Sequence, residues 1–278
     1  MKFLALILAA GAAALSLVNP ARAADTELWR LDCGRIEVRD LSFFSDSFAY
    51  GGKPRRLTDS CYLIRHEKQY MLWDTGLPAG LIGAKADAKA VLAPSLDVDI
   101  ASQLARIGVK PEQVTLIGIS HNHFDHVGQA AAFPGARLLI GKADFDALKL
   151  SPPPFGVEPA LLAPWLDGKS TVEPVTGDFD VFGDGSVMML RMPGHTPGET
   201  GLLVRLPKNG PVLLSGDVVH FHEQLAHQGV PPFNSDRSDS LASMNRLTAI
   251  ARELGARLVI QHDETHIGKL PAFPKSAR

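Results

Sequence analysis

The sequence feature that most constrains this chain is a group of four potential metal ligands within six residues, His121-x-His123-x-Asp125-His126. The group follows directly on residues 114–119, a short apolar run typical of a buried strand. A loop that turns tightly after a strand can present His121 and His123 to one metal ion, and Asp125 and His126 to another. Because the ligands are imidazoles and carboxylates with no cysteine nearby, the pattern favours a solvent-accessible catalytic centre over a closed structural zinc site.

Three further residues are candidates to complete such a centre. Four ligands from one loop cannot fill the coordination of two metal ions, so other ligands must come from elsewhere in the chain. His195, Asp217 and His262 each stand in a short turn directly after a predicted strand. Loops at strand ends are where binding groups collect, so we expect these three side chains to converge on the first group.

The rest of the chain alternates between short apolar segments and turns, which suggests a sheet covered by helices on its outer face. Strands are predicted at residues 36–41, 61–64, 70–73, 114–119, 137–140, 187–192, 202–206, 212–214 and 257–260. Helices are predicted at residues 99–107, 127–133 and 238–254. Residues 42–58 and the proline-rich residues 151–165 are predicted to be loops, the second of them a lid or wall.

The first 23 residues have the pattern of a secretory signal peptide. A positive Lys2 is followed by an apolar run over residues 3–18 and then by Ala21-Arg22-Ala23, an A-x-A cleavage pattern. The run is shorter than the roughly 20 residues of a spanning helix, which disfavours a permanent anchor. We therefore expect a mature domain of residues 24–278, exported to the periplasm or secreted, with no membrane attachment after cleavage.

Charge and cysteine content narrow the alternatives further. The formal net charge of −2 becomes −4 when Lys2 and Arg22 are removed, so nothing indicates binding to nucleic acid. An oxidising compartment permits a disulfide between Cys33 and Cys61, but the sequence does not place their side chains. A disulfide and two buried free thiols both remain open.

Taken together, these motifs resemble those of the metallo-β-lactamase superfamily, an α+β fold built as an αββα sandwich. The resemblance covers the mature chain from the first hairpin to its end and rests on five motifs: Trp73-Asp74-Thr75-Gly76, the H-x-H-x-D-H group, Pro193-Gly194-His195-Thr196-Pro197-Gly198, Ser215-Gly216-Asp217 and Gln261-His262-Asp263. It implies that Asp217 bridges two metal ions and that Asp74 orients the metal ligands. The ligands that it implies are His121, His123 and His195 for one metal, and Asp125, His126 and His262 for the other.

Within the superfamily the chain looks most like the N-acyl-homoserine lactonases, the quorum-quenching enzymes. The resemblance implies two divalent ions, for which we expect zinc, and a hydroxide between them that opens the lactone ring of a small-molecule substrate. We expect Asp125 to relay a proton to the leaving oxygen. The lactonases often carry a tyrosine three residues after the bridging aspartate, whereas this chain has His220. His220 is therefore a candidate catalytic and substrate-binding residue, with a solvent-facing loop histidine as the alternative.

Aromatic residues in two predicted loops form a less specific pattern. Phe43, Phe44, Phe48 and Tyr50 lie in the first loop, and Phe155 and Trp165 in the proline-rich one. They predict either an apolar wall for an acyl chain, with Phe48 and Phe155 as substrate contacts, or packing of the loops onto the sheet. The remaining histidines are expected to be solvated: His66, His222, His227 and His266.

Other functions remain open alongside the lactonase reading. A β-lactamase, a phosphotriesterase or a thioesterase of the same fold would use a similar centre, although export disfavours the thioesterase. A metal-storage protein would carry histidine-rich tracts instead of ligands spread over several strand ends. A diiron redox enzyme would need an electron-transfer domain for which the chain is too short. The sequence also leaves a homodimer open, and imidazole and carboxylate ligands would accept iron, cobalt or manganese as well as zinc.

Overall fold

The computed structural model describes residues 25–85, 87 and 89–278. The predicted signal peptide, residues 1–23, lies outside the described residues. In the described part of the chain, no helix is both long and apolar enough to cross a membrane.

Two β-sheets form the centre of the described structure. The first comprises β1 (Thr26–Val38), β2 (Arg55–His66), β3 (Gln69–Trp73), β4 (Leu92–Ser95), β5 (Val114–Gly118), β6 (Arg137–Gly141) and β7 (Val172–Val175). Their order across the sheet is β4-β1-β2-β3-β5-β6-β7. The second comprises β8 (Phe179–Asp180), β9 (Val187–Arg191), β10 (Thr200–Leu206), β11 (Gly210–Leu214) and β12 (Arg257–Val259), in the order β12-β11-β10-β9-β8.

Helices connect the strands and cover the sheets. They are α1 (Ile100–Arg106), α2 (Phe124–Val127), α3 (Lys142–Ala147), α4 (Ala163–Leu166), α5 (Glu223–His227) and α6 (Arg237–Glu253), with 3-10 turns that include Leu41–Phe44, Ala130–Ala132, Pro159–Leu162, Gly216–Val218 and Glu264–Lys269. Asp99 caps α1 by accepting a hydrogen bond from the backbone N–H of Ser102, and Asp236 caps α6 in the same way from Asp239. These caps satisfy otherwise unpaired N–H groups, which is why the helices begin there.

The layers follow from the alternation of side chains along each strand. In β2, Tyr62 and Ile64 pack between the two sheets, where they meet apolar residues of β9, β10 and β11. Leu63, between them in sequence, faces the opposite side and packs with residues of α1 and α4. The outer face of the second sheet packs against Met244 and Leu247 of α6. Helix, sheet, sheet and helix are therefore stacked in that order, which confirms the predicted αββα sandwich of the α+β class.

The predicted elements agree with this structure where they are long or strongly patterned. The helix expected at residues 238–254 is α6, displaced by one residue at each end, and both predicted hairpins are present. The helix expected at residues 127–133 is wrong in extent, because α2 begins at Phe124 and a separate 3-10 turn follows it. The loop at residues 151–165 contains a 3-10 turn and the start of α4, so it is more regular than its prolines predicted.

Strand directions explain why the candidate ligands meet. β9 and β11 are both antiparallel to β10, and β12 is parallel to β11. Their carboxyl ends therefore share one edge, from which the chain enters the turns that carry His195, Asp217 and His262. In the first sheet β3 and β5 are parallel, so their carboxyl ends bring Asp74 and the loop of His121 together.

A disulfide joins β1 to β2 inside the first sheet. Cys33 and Cys61 are bonded and fully buried, with their Cα atoms 5.7 Å apart. A Cβ atom at Gly76 would lie 2.3 Å from the Cβ of Cys33, so the turn after Asp74 packs directly on the disulfide and requires glycine. The alternative of two free thiols is therefore wrong.

Candidate metal centre

The loop after β5 separates its four polar side chains into two directions. His123 is extended, at φ −72° and ψ 154°, and α2 begins at the next residue. The backbone N–H of His126 donates to the carbonyl of His123 at 3.0 Å, which closes a helical turn. Because the backbone changes from extended to helical at this point, His121 and His123 meet His195, whereas Asp125 and His126 meet His262.

His121, His123 and His195 form the first cluster. The Nε2 of His195 lies 3.2 Å from the Nε2 of His121 and 3.0 Å from the Nδ1 of His123. All three imidazoles are buried or nearly so. Three ring nitrogens that converge at this distance can share a cation through their lone pairs, which is the usual function of such a group.

Asp125, His126 and His262 form the second cluster, and Asp217 lies between the two. The Oδ1 of Asp217 is 3.4 Å from the Nε2 of His126 and 3.1 Å from the Nε2 of His262. The Oδ2 of the same carboxylate is 3.6 Å from the Nε2 of His195 and 3.8 Å from that of His121 in the first cluster, and it also lies 3.2 Å from the Nε2 of His262. The Oδ2 of Asp125 is 3.8 Å from both imidazoles of its own cluster. One carboxylate therefore presents an oxygen to each cluster, which is the arrangement that a bridging ligand needs.

The unpartnered atoms of the site fit divalent ions. Among the described residues, the Nε2 of His126 and the Oδ1 of Asp217 are buried and have no hydrogen-bond partner. Burying such atoms without a partner is costly, and native structures pair them with a donor, water or a metal ion. The two atoms lie 3.4 Å apart in a group that could hold a metal ion, so the residues present fit a two-metal centre.

Ionisation in this site is governed by burial and by the facing charges. Burial lowers the pKa of His123 to about 4 and holds the pKa values of His121 and His195 well below their ordinary range. Burial alone would raise the pKa of Asp217, but the facing imidazoles, of which His262 is the strongest, hold it well below its usual value. Burial alone would lower the pKa values of His126 and His262, but the facing carboxylates, of which Asp217 is the strongest, raise them well above their ordinary range. Since metals bind neutral imidazoles and ionised carboxylates, these two rings release protons when a metal binds, whereas the first cluster is already neutral.

Asp74 lies where the sequence predicted an orienting residue. Its carboxylate accepts from the backbone N–H of Ser120 at 2.7 Å and from the Ser120 hydroxyl at 2.9 Å, and lies 3.0 Å from the Nδ1 of His126. An acceptor on one ring nitrogen fixes the tautomer and aims the other nitrogen inward. Asp74 has a positive φ of 56°, and the backbone bond from Thr75 to the carbonyl of His126 holds this turn in place.

Three other residues contact the ligands on the side that faces away from the two clusters, and the sequence analysis did not assign a role to them. Glu199 accepts from the backbone N–H of Asp217 at 2.8 Å, and its other oxygen lies 3.3 Å from the Nδ1 of His121. Asn234 lies 2.9 Å from the Nδ1 of His195, and Asp59 lies 3.0 Å from the Nδ1 of His262. The sequence signals were weak: an acid shortly before the strand predicted at residues 61–64, at residue 59, and one at the end of the glycine-rich turn, at residue 199.

His220 is brought into the centre, not left in solvent. It is 3% exposed, and its Nε2 lies 3.3 Å from the Oδ2 of Asp217. Its ring stacks on that of His262, with centroids 5.7 Å apart, and meets Phe44 and Phe233 edge-on. The Nδ1 of His220 has no hydrogen-bond partner among the described residues. The alternative of a solvent-facing histidine is therefore wrong.

An apolar cleft adjoins the two clusters. A cavity of about 450 Å³ is lined by Phe43, Phe44, Val91, Leu92, Phe155, Pro232 and Phe233. Phe44, Leu92, Phe155 and Phe233 also line the smaller cavity that holds Asp125, Asp217 and His220. The cleft therefore lies directly beside the cavity of the metal clusters and shares these four wall residues with it. The proline-rich loop contributes Phe155 to its wall, as the sequence predicted.

The other aromatic residues of the two loops were predicted either to form the wall of the cleft or to pack the loops onto the sheet. Phe48 is 93% exposed and is not part of the cleft lining, so the structure does not place it with Phe155. Tyr50 and Trp165 are buried and pack their loops onto the sheet. Phe233, which the sequence analysis did not single out, takes the position in the wall that had been expected of Phe48.

The expectation for the remaining histidines is wrong for His266. That residue is 7% exposed, and its Nδ1 accepts a hydrogen bond from the backbone N–H of Ile260 at 2.9 Å. It lies near His222 and Asp263 in a group with ligand-like spacing. Because its Nδ1 is an acceptor, its Nε2 carries the proton, and Asp263 already accepts from Thr265 and His222. This group closes a turn and does not offer a metal site.

Comparison with known proteins agrees with the fold and with the motifs. The family model of the metallo-beta-lactamase superfamily matches residues 55–262. An N-acyl homoserine lactonase of a Bacillus species is 31% identical over 225 residues, which cover 77% of this chain and 85% of the relative. N-acyl homoserine lactonase AttM of Azorhizobium caulinodans is 29% identical over 228 residues, covering 77% of this chain and 84% of the relative.

Solved structures give the same result. An N-acyl homoserine lactone hydrolase with the product N-hexanoyl-L-homoserine at its catalytic metal centre superposes with a TM-score of 0.76 and 25% identity. The match covers 90% of this chain and 98% of that one. The resemblance inferred from the sequence is confirmed, and the chain belongs to the metallo-β-lactamase superfamily.

Proposed function

We propose that this chain is a two-metal hydrolase that opens the lactone ring of N-acyl homoserine lactones. The observation that carries the proposal is the position of Asp217, which offers one oxygen to each histidine cluster at the base of an apolar cleft. Relatives that cover most of this chain are named N-acyl homoserine lactonases, and a similar structure binds a ring-opened product at its metals.

The residues divide into two sets of metal ligands and one bridge. One set is His121, His123 and His195, the other is Asp125, His126 and His262, and Asp217 bridges them. When bound, two divalent ions lower the pKa of water so that hydroxide is available at neutral pH, and they polarise a carbonyl oxygen. We propose zinc for both, since buried imidazoles and carboxylates suit it and the set leaves room for substrate.

The remaining groups of the site act on the substrate. Hydrolysis adds water across the ring ester, so the acyl carbon–oxygen bond breaks and the ring oxygen leaves as a hydroxyl after it takes up a proton. Asp125 lines the cavity beside Asp217 and is placed to deliver that proton. His220 lines the same cavity, at the position where the lactonases often have tyrosine, and is placed to hold the substrate.

The apolar cleft accounts for the acyl chain of the substrate. Its lining is almost wholly hydrophobic, and a flexible aliphatic chain that enters it would remove apolar surface from water. Phe155 and Phe233 lie closest to the clusters, with ring centroids 6.4 Å from His123 and 5.8 Å from His195 respectively. A lactone at the metals would therefore direct its acyl chain along these two rings.

We propose that the enzyme acts outside the cytoplasm, in the periplasm or beyond the cell. The support is the signal-like pattern of residues 1–23 together with the disulfide between Cys33 and Cys61, which is stable in oxidising compartments. Fractionation of the native host with an antibody to the protein tests this, and recovery in the cytoplasm with an uncleaved terminus would contradict it.

A substrate panel tests the proposed activity. The purified protein is assayed with short- and long-chain N-acyl homoserine lactones, nitrocefin, a thioester and paraoxon, each with and without a chelator. We expect turnover mainly of the lactones, loss of that turnover on chelation, and recovery when Zn²⁺ is added back. Turnover mainly of one of the other three substrates would assign the centre to a different hydrolase activity.

A further inference from the structure

Asp59 is an acidic residue in the middle of a buried strand. It lies in β2 and is 0% exposed, and neither of its carboxylate oxygens has a hydrogen-bond partner with good geometry among the described residues. A carboxylate buried without donors is strongly destabilising unless a positive charge compensates it. Packing of the strand therefore does not explain why an aspartate occupies this position.

The ring of His262 lies against this carboxylate. The Nδ1 of His262 lies 3.0 Å from the Oδ1 of Asp59 and 2.9 Å from the carbonyl oxygen of Thr58. Its Nε2 lies on the opposite side of the ring, 3.1 Å from the Oδ1 of Asp217. Asp59 therefore stands directly behind a ring whose other nitrogen points into the second cluster.

The backbone holds this arrangement in register. The N–H of Thr58 donates to the carbonyl of His262 at 3.3 Å, and the side chain of Gln261 donates to the carbonyl of Ser60 at 2.6 Å. These two bonds fasten β2 to the turn after β12 on either side of Asp59. The backbone of Asp59 is therefore held against the turn that carries His262.

We propose that Asp59 is a positioning residue whose side chain, 3.0 Å from the Nδ1 of His262, strengthens metal binding at the cluster of Asp125, His126 and His262. A carboxylate on the outer nitrogen of a ligating imidazole fixes the ring and raises its basicity, and losing such a partner costs 10–100-fold in metal affinity. The outer nitrogen of His195 in the other cluster faces the neutral amide of Asn234. The inference rests on the proposed assignment of His262 as a ligand.

A purely structural role predicts a different response to the same substitution. If Asp59 served only to hold the fold, Asp59→Asn would lower the stability of the metal-free protein. If Asp59 positions the ligand, the affinity of one zinc site falls as well, because His262 loses the carboxylate on its outer nitrogen. Metal-free stability alone does not separate the two roles, since removing one partner of a buried pair also destabilises the fold. The affinity of the single zinc site is therefore the deciding readout.

The test measures metal affinity and metal-free stability in parallel at pH 8. Wild type, Asp59→Asn, Glu27→Gln and His262→Ala are stripped of metal, titrated with Zn²⁺ against a competing chelator, and melted without metal. Glu27 is the matched control, since it is a buried carboxylate in β1 that pairs with Arg65 and Arg278 away from the clusters. Its variant should melt at a lower temperature and keep both wild-type zinc affinities.

For Asp59→Asn we expect one of two zinc affinities to fall 10–100-fold while the other keeps its wild-type value. Wild-type affinity at both sites would overturn the inference, and so would an equal fall at both sites. His262→Ala should lose one zinc outright. If it keeps two, the ligand assignment within the proposed function fails, and the inference with it.

Discussion

The disulfide between Cys33 and Cys61 should contribute measurably to stability, and the double substitution Cys33→Ala/Cys61→Ala tests this. The bond closes a loop with a sequence separation of 28 residues between β1 and β2. In the chain-entropy relation, opening a loop of that length costs about 3.6 kcal/mol at 25 °C. For a domain of this size, that corresponds to a fall in melting temperature of roughly 7–14 °C.

The structure also predicts which part of the protein the loss of the disulfide will affect. Gly76 packs on the Cβ of Cys33, and the same turn carries Asp74, which contacts the Nδ1 of His126. Loosening β1 against β2 should therefore weaken the support of one metal ligand as well as the fold. We expect the double variant to lose activity at a lower temperature than wild type, in step with its unfolding.

Denaturant unfolding of the metal-loaded protein measures the effect. The variant is compared with oxidised wild type and with wild type unfolded in the presence of a reductant. The variant and the reduced wild type should agree, and both should lie about 3.6 kcal/mol below the oxidised protein. A variant within 1 kcal/mol of oxidised wild type, on the order of the smallest reliable difference, would refute the reasoning.

Three further predictions follow from the site and the layers. Asp217→Ala should abolish lactone turnover and reduce bound zinc by mass spectrometry, and full activity in a metal-poor variant would refute the bridging role. Phe233→Ala removes a half-buried ring from the cleft wall, so kcat/KM for a twelve-carbon acyl lactone should fall about fivefold, a change of about 1 kcal/mol. The value of kcat/KM for a four-carbon acyl lactone should be nearly unaffected. Equal losses for both substrates would contradict the position assigned to Phe233 in the cleft wall. Leu247→Ala, at the fully buried contact of α6 with the second sheet, should cost about 2–5 kcal/mol of unfolding free energy, and a loss below the low end of that range would question the packing of that layer.

The sequence predicted the ligands because each of them lies next to a strong local pattern. His121 follows the apolar run of β5, Asp217 follows β11 and His262 follows β12, so the strand endings and the chemistry could be seen together. The edge they share depends on which strands run in parallel, and the family resemblance supplied that topology. The long helix α6 was equally accessible because its period, cap and terminal glycine agree.

What the sequence could not show depends on contacts between distant parts of the chain. Asp59 and His262 are separated by most of the chain, and nothing local indicates that the aspartate stands behind that ring. Glu199 likewise gains its role only when β10 brings it to the backbone of Asp217. His266 was predicted to be solvated because its neighbours are polar, whereas its ring nitrogen satisfies a backbone N–H in a buried turn. The short edge strands β4, β7 and β8 have too few residues to show a period.

Identification of the product from an N-acyl homoserine lactone is the most direct test of the central claim. The metal-loaded protein is incubated with N-hexanoyl homoserine lactone in ¹⁸O-labelled water, and the products are analysed by mass spectrometry. The account predicts N-hexanoyl homoserine that carries one ¹⁸O in its carboxylate, formed only when metal is present. Hexanoic acid and free homoserine lactone, or no metal-dependent product, would contradict it.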